Sequence, residues 1–167
     1  MAITQQCARV PAGVLQACRR STEAVDRLCS FRAVPRSDYL DLDWAGAMLV
    51  RVFELAGVDD VSVVALRLAL TSRDELTPEY RDHLAVVWDP PMVITPEVVV
   101  EVAGGLSAVD FDAVVAVLPV DAEGAGQMLG VDFDGHPRGY LTGHFAALCD
   151  FYAGAAQRGL AIVTWDD

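Results

Sequence analysis

The pattern of hydrophobic and polar positions predicts a short strand at each end of the chain and helices between them. The stretch "AITQQCARV" near the start is apolar and β-like, and Pro11 closes it. The stretch "GLAIVTWDD" follows Gly159 at the other end and has the same character. We expect both runs to lie in one sheet, as neighbours or close to each other.

The clearest helix lies in "LDLDWAGAMLVRVFELAG". Helical spacing places one apolar stripe along it, formed by Ala45, Met48, Leu49, Val52 and Ala56. Gly57 stands where a helix often ends in a left-handed residue, and Asp41 or Asp43 is the expected N-terminal cap. These signals predict an amphipathic helix of about four turns.

Further helices follow from cap signals. Residues 11–31 predict two short helices, the second beginning near Ser21 or Thr22. "LTPEYRDHL" and "ITPEVVVEVAGGL" both place threonine at the cap and proline at the first helical position, with Gly104 and Gly105 ending the second helix. "YLTGHFAALCDFYAGAAQR" predicts the last helix, and "EGAGQMLG" predicts a loop.

Residues 58–71 leave two interpretations open. Asp59 and Asp60 favour the start of a helix, whereas Val61, Val63 and Val64 favour a strand, and we favour the helix. No repeat or linker divides the chain. The prediction is therefore one α+β domain over residues 1–167, with several helices packed on a small mixed β-sheet that includes the N- and C-terminal strands.

Charge is unevenly distributed along the chain. Residues 1–51 hold seven arginines and five acidic residues, whereas the rest holds five arginines and 19 acidic residues, for a total of −12 with no lysine. A field this negative repels nucleic acid and anionic membranes, and it fits either a basic protein partner or simple solubility, of which solubility is the favoured interpretation of the charge alone. We therefore expect no nucleic-acid or membrane partner, and a homo-oligomer is compatible with the sequence.

The stretches without charge are too short to span a membrane, and the start of the chain has no secretory signal pattern, so the expected location is the cytoplasm. Cys7, Cys18, Cys29 and Cys149 lack the spacing of a zinc site, and we expect all four to be reduced. Nucleotide-binding and hydrolase sequence motifs are absent, so no cofactor is expected.

The most chemically suggestive stretch is "VDFDGHPRGYLTGH". A calcium loop that begins at Asp132 would need glycine sixth and glutamate twelfth, where Pro137 and Gly143 stand. The spacing of eight between His136 and His144 suits no common zinc motif. We therefore expect no bound metal, and we interpret Asp134-Gly135 as a tight turn that leads into the last helix.

Two functional hypotheses remain. A small hydrolase-type enzyme would use Asp132, Asp134, His136 and His144 for general acid–base chemistry, although no nucleophile accompanies them. A protein-binding or regulatory module would use the acidic surface and an aromatic anchor. Trp88 and Trp165 are candidates because each adjoins aspartate, although burial in the core is the expected position of each. The second hypothesis is favoured, and no catalytic residue is assigned.

Four segments together resemble the YfbM-like family of small uncharacterised bacterial proteins. They are "AITQQCARV", "YLDLDWAGAMLVRVFELAG", "PPMVITPEVVVEVAGGLSAVDFDAV" and "GHFAALCDFYAGAAQRGLAIVTWDD". One departure is that Gly46 and Ala47 stand where relatives often carry tryptophan followed by histidine or an acid. The resemblance implies a mixed α/β fold of its own kind and a protein-binding role such as toxin immunity, with no established reaction.

Overall fold

A computed structural model describes residues 4–72, 74–83 and 86–167 of the chain, which form a five-stranded sheet with helices on both faces. The strands lie in the order β2-β1-β5-β4-β3, and every neighbouring pair is antiparallel. The α+β class is confirmed, but the prediction of a mixed sheet is wrong for the described strands. The strands are β1 (Gln5–Val10), β2 (Tyr39–Asp41), β3 (Asp74–Glu75), β4 (Met92–Ile94) and β5 (Ala161–Asp166).

Helices account for most of the remaining described residues. The α-helices are α1 (Ala12–Cys18), α2 (Thr22–Cys29), α3 (Ala45–Ala56), α4 (Asp60–Leu70), α5 (Pro96–Ser107), α6 (Phe111–Val115), α7 (Ala122–Leu129) and α8 (Pro137–Arg158). Short 3-10 helices cover Arg36–Asp38 and Pro78–Asp82. Ser21 caps α2 by accepting a hydrogen bond from the amide of Ala24, as the sequence predicts.

The two ends of the chain pair directly, as expected. β1 and β5 are antiparallel neighbours over six residue pairs, from Gln5 opposite Asp166 to Val10 opposite Ala161. Residues 2 and 3 of the predicted first strand lie outside the described residues. Because this pairing occupies the centre of the sheet, it fixes the position of the carboxylates at the end of β5.

Strand alternation divides the core into two clusters. Ile162 faces the larger cluster, which lies between the sheet and helices α3 to α8. Val163 and Trp165 face the smaller cluster, which α1, α2 and the second 3-10 helix cover. Successive strand side chains point to opposite faces, so a strand buried on both sides supplies both cores.

Helix α3 confirms the predicted stripe but not the predicted cap. Trp44 occupies the N-terminal cap position and makes no capping hydrogen bond with its side chain. Asp41 instead accepts the backbone N–H of Asp43 at 2.7 Å, so it stabilises the turn that precedes the helix. Gly57 ends the helix with a φ of 63°, as predicted, since glycine adopts this left-handed conformation without a Cβ clash.

The ambiguous stretch after Gly57 forms a helix. Asp59 caps α4 by accepting the amide of Ser62 at 3.0 Å, which confirms the favoured interpretation. The "LTPEYRDHL" stretch forms only a 3-10 helix, so the predicted α-helix is wrong there. At its start the hydroxyl of Thr77 hydrogen-bonds the carboxylate of Glu79 and does not cap the helix. Residue 84, the last of this stretch, and residue 85 lie outside the described residues.

Two predictions that relied on glycine are wrong. The "EGAGQMLG" stretch forms helix α7, since Asp121 accepts the amide of Gly124 at 2.7 Å and Leu129 packs into the larger core. Helix α5 continues through Gly104 and Gly105. A Cβ on Gly105 would lie 2.5 Å from the Cβ of Ala65, so glycine is needed there for close packing against α4 rather than to end a helix.

The four cysteines are free, as predicted. Cys7, Cys18 and Cys29 are buried, and Cys149 is partly buried. Burial raises the pKa of the Cys7 thiol to about 12, with nearby carboxylates adding to the effect. Thiols with raised pKa values carry little thiolate at neutral pH, and they are therefore weak nucleophiles.

Candidate functional site

The four residues of the hydrolase hypothesis do not converge. Asp132, Asp134 and His136 are exposed along the loop between α7 and α8. His144 lies two turns inside α8, and its ring centroid is 4.4 Å from that of Tyr140. Eight residues along a helix span about 12 Å, so His136 and His144 are separated along α8. A groove beside α7 includes Asp132 and Asp134 in its wall but neither histidine.

The loop before α8 has the geometry of a turn. Gly135 has a φ of 108°, which favours glycine. His136 occupies the cap position of α8 without a capping side-chain hydrogen bond, and Pro137 is the first helical residue. Within the described ranges, no three histidine, cysteine or acidic side chains form a group that could hold a metal ion.

A second concave region lies at the end of the sheet where β1 begins and β5 ends. Two adjoining cavities of about 340 and 250 Å³ share Gln5, Leu70, Thr71 and Asp166 in their walls. We call them together the acidic groove. The larger cavity is also lined by Asp43, Trp44, Gly46 and Arg67, and the smaller one by Glu75 and Asp89.

Asp43 is held rigidly at the mouth of the larger cavity. Its φ is 50°, an uncommon value for a residue other than glycine that aspartate tolerates better than most. Its carbonyl accepts the amide of Gln5 at 3.0 Å, and its Oδ2 accepts the hydroxyl of Tyr140 at 3.1 Å. Burial, followed by this hydrogen bond, raises the pKa of Tyr140 to about 12. Tyr140 therefore remains a donor and orients the Asp43 carboxylate.

Gln5 and Gly46 shape the wall between the two cavities. The Nε2 of Gln5 donates to the carbonyl of Leu70 at 2.7 Å, which fixes the orientation of the side-chain amide. A Cβ on Gly46 would lie only 2.6 Å from the Oε1 of Gln5. Glycine at position 46 therefore leaves room for the amide oxygen beside the first turn of α3.

Asp166 is a partly buried carboxylate of the acidic groove that lies close to other negative charges. Partial burial raises its pKa, and the negative charges of Asp89 and Asp167 raise it further. The backbone carbonyl of Asp166 accepts the amide of Trp88 at 3.1 Å, which ties the segment before β4 to the end of β5. Like charges are therefore held together here at a cost in stability.

The tryptophans divide between surface and core. Trp88 is 51% exposed, whereas Trp165 is 3% exposed and packs against Phe31 and Tyr39. Trp165 therefore takes the core position and cannot serve as a surface anchor. Trp44 is 52% exposed and lines the acidic groove, although the sequence analysis did not select it. The sequence feature that could have identified Trp44 as a candidate anchor is its position directly after Asp43.

Arg67 supplies a positive charge at the edge of the acidic groove. Its Nη2 lies 2.8 Å from the carboxylate of Glu54 on α3, and both side chains are largely exposed. Glu54 also lies 3.6 Å from Arg51. Because Glu54 is shared by two arginines, it offsets only part of the positive charge of Arg67.

Replacement of Asp166 by asparagine is expected to raise the stability of the protein at neutral pH. A carboxylate whose folded pKa is raised destabilises the fold above that pKa, and this penalty disappears as the pH falls through the raised value toward the ordinary one. Urea titrations of both proteins at pH 7 and in mild acid measure the difference. We expect a higher midpoint for Asp166→Asn at pH 7 and near-equality in acid.

The exposed Asp150 provides the matched control, since Asp150→Asn removes the same charge from the surface of α8. We expect little change for Asp150→Asn, because surface substitutions of this kind usually have small effects. A difference between Asp166→Asn and the wild type that persists unchanged in acid would assign the effect to something other than ionisation.

The comparisons with known proteins address the fold. The structure resembles the crystal structure of YfbM from Escherichia coli, a protein of unknown function, with a TM-score of 0.57 and 15% identity over 98% of this chain and 99% of that chain. The YfbM-like resemblance is thus confirmed at the level of the fold. No protein-family profile matches the chain, and no curated protein matches it. Among the described residues, no helix is both long and apolar enough to cross a membrane.

Proposed function

We propose that the protein is a binding module that captures a basic segment of a partner protein in the acidic groove. The observation that carries the proposal is that a half-exposed tryptophan, Trp44, lines the groove together with carboxylates. Trp44 lines one cavity, and Trp88 lies next to Asp89, which lines the other. Interfaces are typically anchored by aromatic side chains within a polar rim.

The distribution of charge supports a basic partner. None of the acidic residues after residue 51 is buried, and all are exposed except Glu75, Asp166 and Asp167, which are partly buried. Asp166 lines the acidic groove, as does Glu75, whose carboxylate is paired with Arg81, and Asp167 follows Asp166 directly. Recessed carboxylates are less screened by salt than those on an open surface, so they interact more strongly with a bound cation.

The negative charge around the groove is expected to raise the rate at which a basic partner associates. Complementary charge steers a basic partner toward its site and raises the association rate, and the benefit falls as salt is added. The recessed carboxylates and the tryptophans then determine how long the partner stays. An immunity protein that neutralises a basic toxin would use both features, and this is one form of the proposal.

The hydrolase alternative receives no comparable support. It needs a histidine oriented by a carboxylate beside a substrate cavity. His144 instead lies against the ring of Tyr140, and His136 lies at the exposed start of α8. We therefore propose one function.

The test compares two double variants that change the net charge equally. Asp43→Asn/Asp166→Asn removes two charges from the acidic groove, whereas Glu101→Gln/Asp112→Asn removes two charges from exposed positions of α5 and α6. Affinity for an arginine- and lysine-rich peptide is measured by calorimetry at low and physiological salt. We expect the groove variant to bind at least about tenfold more weakly, and the control variant to lose about threefold or less.

Equal losses in the two double variants would show that the peptide responds to net charge alone, and this result would overturn the proposal. Binding that is indifferent to salt would also contradict it. An acidic peptide of the same length is the negative control for the ligand, and we expect it not to bind.

A further inference from the structure

From the larger cavity of the acidic groove we infer a more specific ligand group, the guanidinium of an arginine. This inference rests on the proposed function and names the chemical group that the cavity selects. The cavity measures about 340 Å³, near the lower end of the usual range for small-ligand sites. It therefore accommodates one long side chain or one small ligand, with the rest of a partner lying outside.

Three side chains with acceptor oxygens line this cavity, and the donor Arg67 lines it as well. Asp43 and Asp166 contribute carboxylates from separate segments of the chain, and Gln5 contributes its amide oxygen. Because the Nε2 of Gln5 already donates to Leu70, its Oε1 is the group left for a ligand. Tyr140 occupies one oxygen of Asp43 and leaves the other. A ligand with several donors and no acceptor matches this arrangement.

A guanidinium meets that requirement better than an ammonium group. It has five N–H donors in a plane, whereas an ammonium has three around one point. The three acceptors come from β1, from the turn before α3 and from the end of β5, so a planar ligand can reach several of them at once. The guanidinium is also more weakly hydrated than an ammonium, which lowers the cost of entering a partly buried cavity.

The position of Trp44 adds a second element of selectivity. Its indole is 52% exposed and lines the same cavity as Asp43 and Asp166. Guanidinium groups stack on aromatic faces and form cation–π contacts more often than ammonium groups do. Arg67 lies in the same wall and would repel a cation, but its pairing with Glu54 reduces this repulsion. We therefore place the bound guanidinium between Trp44 and the carboxylates.

The test uses N-acetyl-arginine amide and N-acetyl-lysine amide, which carry the same charge. Binding to the wild-type protein is followed by tryptophan fluorescence and by calorimetry. We expect the arginine compound to bind about three- to tenfold more tightly than the lysine compound. We expect Asp43→Asn and Trp44→Ala each to weaken arginine binding and to reduce this preference, with Glu101→Gln as the surface control.

The outcomes separate this inference from the proposed function. Equal binding of the two amides would overturn the guanidinium assignment while leaving capture of a basic partner in place. Failure of both amides and of the basic peptide would overturn both. The wild-type comparison needs no variant, so the test holds even if Trp44→Ala misfolds.

An alanine peptide with one central arginine distinguishes the possible sources of the group. Tighter binding of the peptide than of the free amide supports an arginine that belongs to a protein partner. Equal affinity supports guanidinium recognition with a small free ligand as the source.

Discussion

Replacement of Phe145 by alanine is expected to lower the free energy of unfolding by about 3–5 kcal/mol, the usual cost of removing a buried aromatic ring. Phe145 is 5% exposed and lies at the centre of the larger core on α8. Its ring stacks on that of Phe111 with a centroid distance of 4.3 Å, and it lies 5.7 Å from that of Phe53. The substitution therefore leaves a cavity where α3, α6 and α8 meet. Urea unfolding at neutral pH measures the loss.

Two further variants provide losses of stability with which the loss for Phe145→Ala can be compared. Phe145→Leu retains most of the apolar volume, so we expect a loss of less than about half that of alanine. Phe133→Ala removes an aromatic ring that is only half-buried and packs at the edge of the same core, and we expect a smaller loss. If Phe133→Ala and Phe145→Ala cost the same, the aromatic cluster would not be the centre of the core.

The sequence predicts the elements whose signals are local. The apolar stripe of α3, its end at Gly57 and the cap of α2 at Ser21 each depend on a few neighbouring residues. The pairing of β1 with β5 was expected from two apolar runs of similar length at the ends of the chain. The helix at residues 60–70 was harder to predict, because Val61 and Val64 resemble strand residues but are exposed on α4.

The two wrong predictions that relied on glycine share a cause, which is that tertiary packing overrode local preference. Gly104 and Gly105 resemble the end of a helix, yet α5 continues because Gly105 lets α4 approach closely. Gly126 lies inside α7, where a Cβ would come within 2.5 Å of the carbonyl oxygen of Val131. In both cases a distant or returning segment makes glycine favourable in a helix. One sequence without its three-dimensional contacts does not reveal that.

The acidic groove could not be predicted from the sequence, for a related reason. Its walls come from five separate parts of the chain, at residue 5, within residues 43–50, within residues 67–72 and at residue 75, within residues 89–92 and at residues 164–166. No short motif contains more than a few of these positions. The sequence did indicate that aspartates adjoin tryptophans, and Trp88 beside Asp89 follows that indication. What it could not show is that the turn before α3 brings Trp44 and Asp43 to the same end of the sheet.

If the proposed binding role is correct, the carboxylates of the acidic groove favour ligand binding at the expense of stability. Asp166 has a raised pKa because it is partly buried close to Asp89 and Asp167. A fold selected for stability alone would replace or pair one of these charges. Sites that bind ligands commonly retain such unfavourable arrangements because the ligand compensates them. Asp166→Asn is therefore expected to stabilise the free protein and to weaken binding of a basic ligand.

Asp38→Ala is also expected to lower the free energy of unfolding substantially, by about 2–4 kcal/mol, because the substitution removes the shared acceptor of two arginines. The Asp38 carboxylate is buried, with 6% of the side chain exposed. Arg158 donates to its two oxygens at 2.5 and 3.1 Å, and the Nε of Arg9 lies 3.0 Å from Oδ1. Arg9 also lies 4.6 Å from the ring centroid of Phe151, so without Asp38 its charge is left largely buried. Thermal and urea unfolding measure the loss.

The pH dependence and a matched variant test this explanation. The hydrogen bonds from Arg158 hold the pKa of Asp38 below its usual range, with the charges of Arg158 and Arg9 adding to the effect. Its contribution is therefore complete above the ordinary carboxyl pKa of about 4 and is lost as the pH falls through the lowered folded value. The difference in free energy of unfolding between the wild type and Asp38→Asn should therefore become smaller over that pH range.

Arg158→Ala should lower the free energy of unfolding less than Asp38→Ala does, because the Arg158 side chain is 51% exposed whereas that of Arg9 is 16% exposed. Equal costs would mean that Arg158, and not the buried Arg9, accounts for the effect.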